Sequence, residues 1–331
     1  MKKIIYKICI VSLACLIGLL VFVLGKEILH KNEEEVIAET VDMTPPIIVL
    51  EGDKFMSLPF GETYEEPGFS AKDDCDGDIT DEVTVYGEVR VNGTSELEYK
   101  VTDASGNTCV EKRYITVELE EDQKVIYLTF DDGPGPYTEE LLDVLDRYQV
   151  KVTFFVTGGN DAYYDLIGEA YKRGHTIALH SYSHQYSIYK ETETFYEDLQ
   201  KIEDLVVAQT GQMPFLYRFP GGTSNTVSKK YNAGIMTELI KTLPTRGYTH
   251  CDWNVSSGDG GGAKDEATVI QNVLNGIRKL GEKESAIVLM HDIRSFSVDA
   301  VDDIIEWGME QGYIFLPLVD SSPIVQQKAA N

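Results

Sequence analysis

The chain has 331 residues, 43% of them hydrophobic and 25% charged, which is enough for two domains with a sizeable core in the larger one. Its formal net charge is -26, from 55 acidic against 29 basic residues, which argues against nucleic acid, a partner that needs a cationic face. Five cysteines over this length do not make a disulfide scaffold.

Residues 1–25 read as a membrane segment. Lys2, Lys3 and Lys7 precede an uncharged apolar run over 8–24. That length lies between the roughly 7–15 apolar residues of a cleavable signal and the about 17–25 of a spanning helix. Gly25 leads straight into Lys26-Glu27 with no small-x-small cleavage site, and Ser12 stands where a lipoprotein signal ending at Cys15 would place an aliphatic residue. An uncleaved single-pass anchor is favoured over a removed signal. The basic N-terminus would stay in the cytoplasm and the rest of the chain would lie outside the cell.

Residues 26–44, with Glu33-Glu34-Glu35, read as a stalk that Pro45-Pro46 ends. Over 45–119 the pattern changes to short alternating runs, among them Ile47-Ile48-Val49-Leu50, Val83-Thr84-Val85-Tyr86, Leu97-Glu98-Tyr99-Lys100-Val101 and Tyr114-Ile115-Thr116-Val117. Gly61, Asp76-Gly77-Asp78, Asn92-Gly93 and Ser105-Gly106-Asn107 supply the turns between them, so this stretch predicts a small all-β sandwich. Asp73, Asp74, Asp76 and Asp78 lack the twelve-residue spacing of a calcium loop and read as a solvated acidic loop. The Asn92-Gly93-Thr94 sequon marks an exposed turn.

From residue 120 onward strands and helices alternate. Val125-Ile126-Tyr127-Leu128 is a buried-strand run that ends in Thr129-Phe130-Asp131-Asp132-Gly133-Pro134, and Thr138-Glu139-Glu140 predicts a capped helix start. Further strands are expected over 151–156, 176–179, 215–218, 249–255, 286–290 and 314–316. Helices are expected over 138–148, 162–173, 194–210, 263–280 and 297–311, with Thr192 as a cap. The alternation predicts a parallel (β/α) barrel or a doubly wound sheet.

The polar residues gather at the ends of these strands, where α/β sheets and barrels carry their sites. After Asp131-Asp132 come His180-Ser181-Tyr182-Ser183-His184, Arg218-Phe219-Pro220-Gly221-Gly222, Trp253-Asn254-Val255-Ser256-Ser257-Gly258-Asp259 and Leu289-Met290-His291-Asp292. Each cluster is weak alone, but five in order, each closing a strand, are hard to assign to packing. Two imidazoles with one carboxylate suit zinc, because such a set leaves a coordination position open for water.

With these motifs, the run over about 124–318 resembles the polysaccharide deacetylases of the NodB-homology group, carbohydrate esterase family 4. The resemblance implies a distorted (β/α) barrel of about seven strands. It assigns Asp132, His180 and His184 to a metal, zinc or another divalent ion such as cobalt. Asp131 becomes the general base toward the attacking water and His291 the general acid toward the leaving amine. Arg218 pins Asp131, Asp259 pairs with His291, and Gly221 offers its N–H to the oxyanion. Trp253 and Leu289 line the acetyl pocket and sugar face, and Tyr182, like Tyr186, is a possible sugar contact. The stretch 45–119 resembles the immunoglobulin-like modules of bacterial surface proteins through Asp76-Gly77-Asp78-Ile79-Thr80 and Val101-Thr102-Asp103-Ala104-Ser105-Gly106-Asn107. In an oxidising exterior Cys75 and Cys109 could bridge there.

Three departures stand out: Asn254 and Ser256 occupy positions where aspartates are frequent, and Gly260 replaces a frequent aromatic. Gly258-Asp259-Gly260-Gly261-Gly262 lacks the lysine and hydroxyl of a phosphate loop, which excludes a nucleotide site. The expected activity is removal of acetyl from N-acetylglucosamine units in peptidoglycan or a chitooligosaccharide. The alternatives are O-acetyl ester hydrolysis, as on xylan, and wall binding without catalysis. His30, His175, His250 and Cys251 read as structural.

Overall fold

The computed structural model describes residues 42–281 and 284–330. The expected anchor over 1–25 lies outside the described residues, as does most of the stalk. Among the described residues no helix is long and apolar enough to cross a membrane.

The chain divides into two compact units. Among the described residues, one comprises 42–49, 69–84 and 100–110, and the other comprises 50–68, 85–99, 111–281 and 284–330. Seven strands precede residue 120: β1 (Ile47–Leu50), β2 (Phe55–Pro59), β3 (Phe69–Asp73), β4 (Gly77–Asp78), β5 (Thr84–Tyr86), β6 (Gly93–Thr102) and β7 (Thr108–Glu118). They form a three-stranded sheet in the order β1-β3-β4 and a four-stranded sheet in the order β2-β7-β6-β5. Alternation decides which side chains go inside: along β6 every second residue from Gly93 to Val101 is buried, with Leu97, Tyr99 and Val101 in the core. Two expectations change here. Cys75 and Cys109 are free thiols, Cys75 in the turn after β3 and Cys109 within β7. Asn92 is buried rather than on an exposed turn, and its Nδ2 donates to the carbonyl of Pro317 at 3.1 Å.

Eight further strands form one parallel sheet: β8 (Lys124–Asp131), β9 (Thr153–Thr157), β10 (Thr176–Ser181), β11 (Leu216–Tyr217), β12 (Thr249–His250), β13 (Val255–Ser256), β14 (Ala286–His291) and β15 (Tyr313–Phe315). The order is β12-β11-β10-β9-β8-β14-β13, with β15 on the start of β8. Helices Thr138–Arg147, Asp165–Lys172, Thr192–Thr210, Glu266–Lys279 and Val301–Glu310 stand near the expected positions, and Ile235–Thr242 was not anticipated. Neither expected cap forms. Thr138 instead accepts the Gly135 N–H at 2.8 Å, and Thr192 donates to Glu238 at 2.9 Å.

Two cores result from the period of two along the strands. Ile126, Leu128 and Phe130 of β8, Phe154 and Val156 of β9, and Val288 and Met290 of β14 face the helices. Val125, Tyr127, Phe155, Ala178, Leu216 and Ile287 fill the opposite face. Continuing that second phase along each strand places Thr129, Asp131, His180, Leu289 and His291 on the interior side, above this apolar plug.

The expected strand over 249–255 is broken, and the hydrogen-bonded path stays open between β12 and β13. Residues 251–254 cross the gap: Cys251 N–H donates to Tyr217 O at 2.9 Å on one side and Asn254 N–H to Ile287 O at 3.2 Å on the other. Asn254 also uses both ends of its amide on β14, accepting from Ile287 N and donating to Ser285 O. That gives a physical use to the asparagine noted in the sequence. The C-terminal tail clasps the same crossing. Asp252 N–H donates to Val325 O at 2.7 Å, and Gln327 reaches Asp252 Oδ2 and the Trp253 carbonyl.

Candidate active site

Asp131 is the last residue of β8 and its side chain points inward. Asp132 would by alternation point the other way, but it has φ 75°, the left-handed region that aspartate tolerates better than most residues. The turn therefore brings both carboxylates to one mouth. His184 makes the same move on the loop after β10, at φ 50°. His180 Nε2 lies 3.6 Å and His184 Nε2 3.3 Å from Asp132 Oδ1, and donor atoms of the three residues all lie within 4.8 Å of one another.

These three residues fit a divalent metal. Asp132 Oδ1 is buried and has no hydrogen-bond partner, a costly state for a carboxylate oxygen unless a cation meets it. His180 Nδ1 is 2.7 Å from the Arg218 carbonyl, so the proton sits on Nδ1 and Nε2 keeps its lone pair. Burial drives the His180 pKa down to about 3, keeping the ring neutral as a ligand must be.

Asp131 and Arg218 are both fully buried and joined at 2.7 Å, and Arg218 Nη1 also donates to Thr129 Oγ1. Burial raises the Asp131 pKa, and the Arg218 charge opposes that rise. Across the mouth, His291 Nε2 lies 3.9 Å from Asp132 Oδ2, and His291 Nδ1 meets Asp259 Oδ1 at 2.7 Å. Burial lowers the His291 pKa, but the hydrogen bond and charge of Asp259, with Asp131 and Asp132 behind it, lift it to about 9. Asp259 is itself fixed by Ser257 Oγ at 2.6 Å, the His291 N–H at 2.8 Å and the Ser297 hydroxyl. Gly260 packs against this ring. A Cβ at 260 would lie 3.0 Å from His291 Cε1, so the missing aromatic leaves room for the imidazole.

Gly221 and Gly222 form a turn with φ 76° and 74°, which only glycine adopts at low cost. Among the described residues no acceptor takes the Gly221 N–H. A Cβ at 222 would strike the Trp253 ring, which places the indole on this turn, and Arg218 lies 5.7 Å from the Trp253 ring centre. Leu289 belongs to neither core and shares the interior phase with His291. Tyr182 is the exception among the expected site residues. Its ring covers Gly158 and packs on the main core. Tyr186 takes the place at the mouth, its ring 6.5 Å from that of His184 and its hydroxyl against Gly221.

Sequence reading missed the residues that hold the site from behind. Asp198, on helix Thr192–Thr210, accepts Ser181 Oγ at 2.6 Å and the amides of Tyr182 and Ser183 at 2.8 and 2.9 Å. Ser181 Oγ in turn accepts the His184 N–H at 2.9 Å, so Asp198 sets the loop that carries both histidines. The only sequence signal was a carboxylate on the inward face of an amphipathic helix. Asp198→Ala should weaken metal affinity about 10–100-fold, measured by competition with a chelator, because supports behind the ligands act on this scale. His175 accepts the Val152 N–H at 3.1 Å, and burial lowers its pKa to about 3, a structural role.

Residues 118–235 match the polysaccharide deacetylase family and residues 48–117 the Ig-like domain of bacterial surface proteins. The first match contains Asp131, Asp132, His180, His184, Arg218 and Gly221, whereas Trp253, Asp259 and His291 lie beyond it. The chain is 34% identical over 201 residues to a peptidoglycan-N-acetylglucosamine deacetylase of Bacillus cereus, covering 59% of this chain and 69% of that one. The crystal structure of the catalytic domain of peptidoglycan N-acetylglucosamine deacetylase from Eubacterium rectale superposes with a TM-score of 0.61 at 51% identity, covering 63% of this chain and 94% of that one. A polysaccharide deacetylase from Bacillus cereus superposes with a TM-score of 0.53 at 31% identity, covering 62% of this chain and 96% of that one. With the five motifs brought to one mouth and relatives alike over most of their own length, the chain belongs to the polysaccharide deacetylase family of hydrolases, carbohydrate esterase family 4.

Proposed function

We propose that the chain is a zinc-dependent N-deacetylase that removes acetyl from N-acetylglucosamine units of peptidoglycan, outside the cell and tethered by its N-terminal segment. The observation that carries the reading is the opposition of two proton-handling groups across Asp132, with Asp131 against Arg218 on one side and His291 against Asp259 on the other. The similarity to peptidoglycan-N-acetylglucosamine deacetylases supports the substrate. The apolar run over 8–24 supports the tether.

Hydrolysis of an amide needs a base for the water, charge stabilisation on the carbonyl oxygen, and a proton for a nitrogen that cannot leave as an anion. Asp131 takes the proton as the water oxygen bonds to the acetyl carbon. Its raised proton affinity favours that role, while Arg218 holds it ionised and oriented. The free Gly221 N–H is placed to receive the developing oxyanion. His291, which carries a proton at neutral pH, gives it to the amine nitrogen as the C–N bond breaks, releasing acetate. A zinc ion held by Asp132, His180 and His184 would supply Lewis acidity and lower the pKa of water.

Acetate release from N-acetylchitooligosaccharide, lost on chelation and restored by zinc, is the first test. Mass analysis of muropeptides from treated peptidoglycan should show acetyl groups missing from glucosamine. Binding of either glycan with no acetate released would sink the proposal. The protonated form of His291 is the active one, so rate should fall as pH rises through about 9. In Asp259→Asn the largest counter-charge is gone and burial is opposed only by Asp131 and Asp132, so that limb should move to lower pH. An unmoved limb would remove His291 from the acid role.

A further inference from the structure

A second group of ligand atoms lies in the smaller unit. Donor atoms of Asp42, Asp73, Asp74 and Cys75 all lie within 4.8 Å of one another. The sequence reads this stretch as a solvated acidic loop, and for Asp73 that fails, because the residue is only 8% exposed. Asp73 Oδ2 accepts the N–H groups of Cys75 at 2.8 Å and Asp76 at 3.0 Å, while Oδ1 is buried with no partner. Asp42 repeats the pattern: Oδ1 accepts the Thr44 N–H at 2.9 Å and Oδ2 is buried and bare. Among the described residues no lysine or arginine forms an ion pair with Asp42, Asp73 or Asp74. Bare, buried carboxylate oxygens on two residues of one acidic cluster, with neither donor nor counter-charge, are costly unless a cation meets them.

We infer that Asp42, Asp73 and Asp74 form a calcium site that clips the segment entering the immunoglobulin-like module to the turn between β3 and β4. The segments that meet there are already braced. Asn107 Nδ2 donates to the Asp42 carbonyl at 3.3 Å and to Asp103 at 2.9 Å, and Asp76 accepts the Ala104 N–H at 2.7 Å. The donors are hard oxygens with no imidazole among them, which favours calcium over zinc. The Cys75 sulfur is a soft donor, ill suited to calcium. Calcium takes six to eight oxygens, and solvent can complete the shell beside exposed Asp74.

Calorimetric titration of the full chain with calcium chloride, after chelation, tests the site. One calcium per chain is expected, with a Kd of about 10⁻⁴–10⁻³ M as in other extracellular modules. Binding should persist in Asp132→Asn, which separates it from the catalytic mouth. It should weaken by at least about tenfold in Asp73→Asn and in Asp42→Asn, since each removes one unit of ligand charge. Asp42→Asn keeps the acceptor for Thr44 and guards against a misfolded Asp73 variant. Cys75→Ser should leave the titration unchanged. No uptake by the wild type, uptake undiminished from the wild type in both Asp73→Asn and Asp42→Asn, or loss in Cys75→Ser would each overturn the inference.

Discussion

Asp131→Asn should lower turnover by about 10²–10⁴-fold with the fold intact, the usual range for losing a placed general base. The asparagine oxygen can still accept from Arg218 Nη1, so the strut at 2.7 Å and the burial of the guanidinium survive. What disappears is a group able to take a proton. Acetate release measures the loss, and metal content measured on the same preparation decides its cause. Asp131 Oδ2 lies 3.8 Å from His180 Nε2, near enough to raise the question of a fourth ligand. Full metal occupancy with almost no turnover identifies the base, whereas loss of metal would make Asp131 a ligand and overturn the assignment.

Arg218→Leu is expected to destabilise the protein by about 3–5 kcal/mol, the range for stripping one partner from a buried ion pair. Asp131 would remain as an uncompensated charge in a dry site. The guanidinium also reaches across the open edge of the sheet. Its Nε donates to Cys251 O at 2.9 Å and its Nη2 to Asp252 O at 3.1 Å, while its carbon sits 3.9 Å over the Phe155 ring. Urea unfolding should show a lower midpoint at unchanged slope. Arg218→Lys should recover only part of the loss, because a point charge cannot reproduce a planar fork of donors. A midpoint equal to that of the wild type would mean that the pair contributes nothing net to stability.

The convergence of the candidate site residues was legible because strand ends announce themselves: a β-branched run followed by Asp131-Asp132-Gly133-Pro134, or a run ending in Leu289-Met290-His291, marks both the strand and the mouth it serves. Two kinds of feature were not legible. Strand continuity over 249–255 looked uniform, yet Asn254 uses its side-chain amide where a strand would use backbone, and a sequence pattern does not show that substitution. Direction along an exposed loop was also hidden. Tyr182 and Tyr186 are equivalent by composition, and the left-handed turn at His184, together with the hold of Asp198 on the Tyr182 amide, decides which ring reaches the mouth. Asp198 itself was invisible because two of its three partners are backbone amides, which every sequence possesses. The acidic loop was misread for a related reason. Composition gives charge, whereas burial of Asp73 depends on two amides folding back onto it.

The clasp between the tail and residues 251–254 sets an order of events during synthesis. Val325 and Gln327, which hold Asp252 and the Trp253 carbonyl, are made only after every catalytic residue has emerged. Domains form as the chain leaves the ribosome, N-terminal parts first. The wall at Asp252 and Trp253 therefore sets only after residue 327 has emerged, and a nascent chain stalled after β15 would carry the full constellation around an unfinished rim.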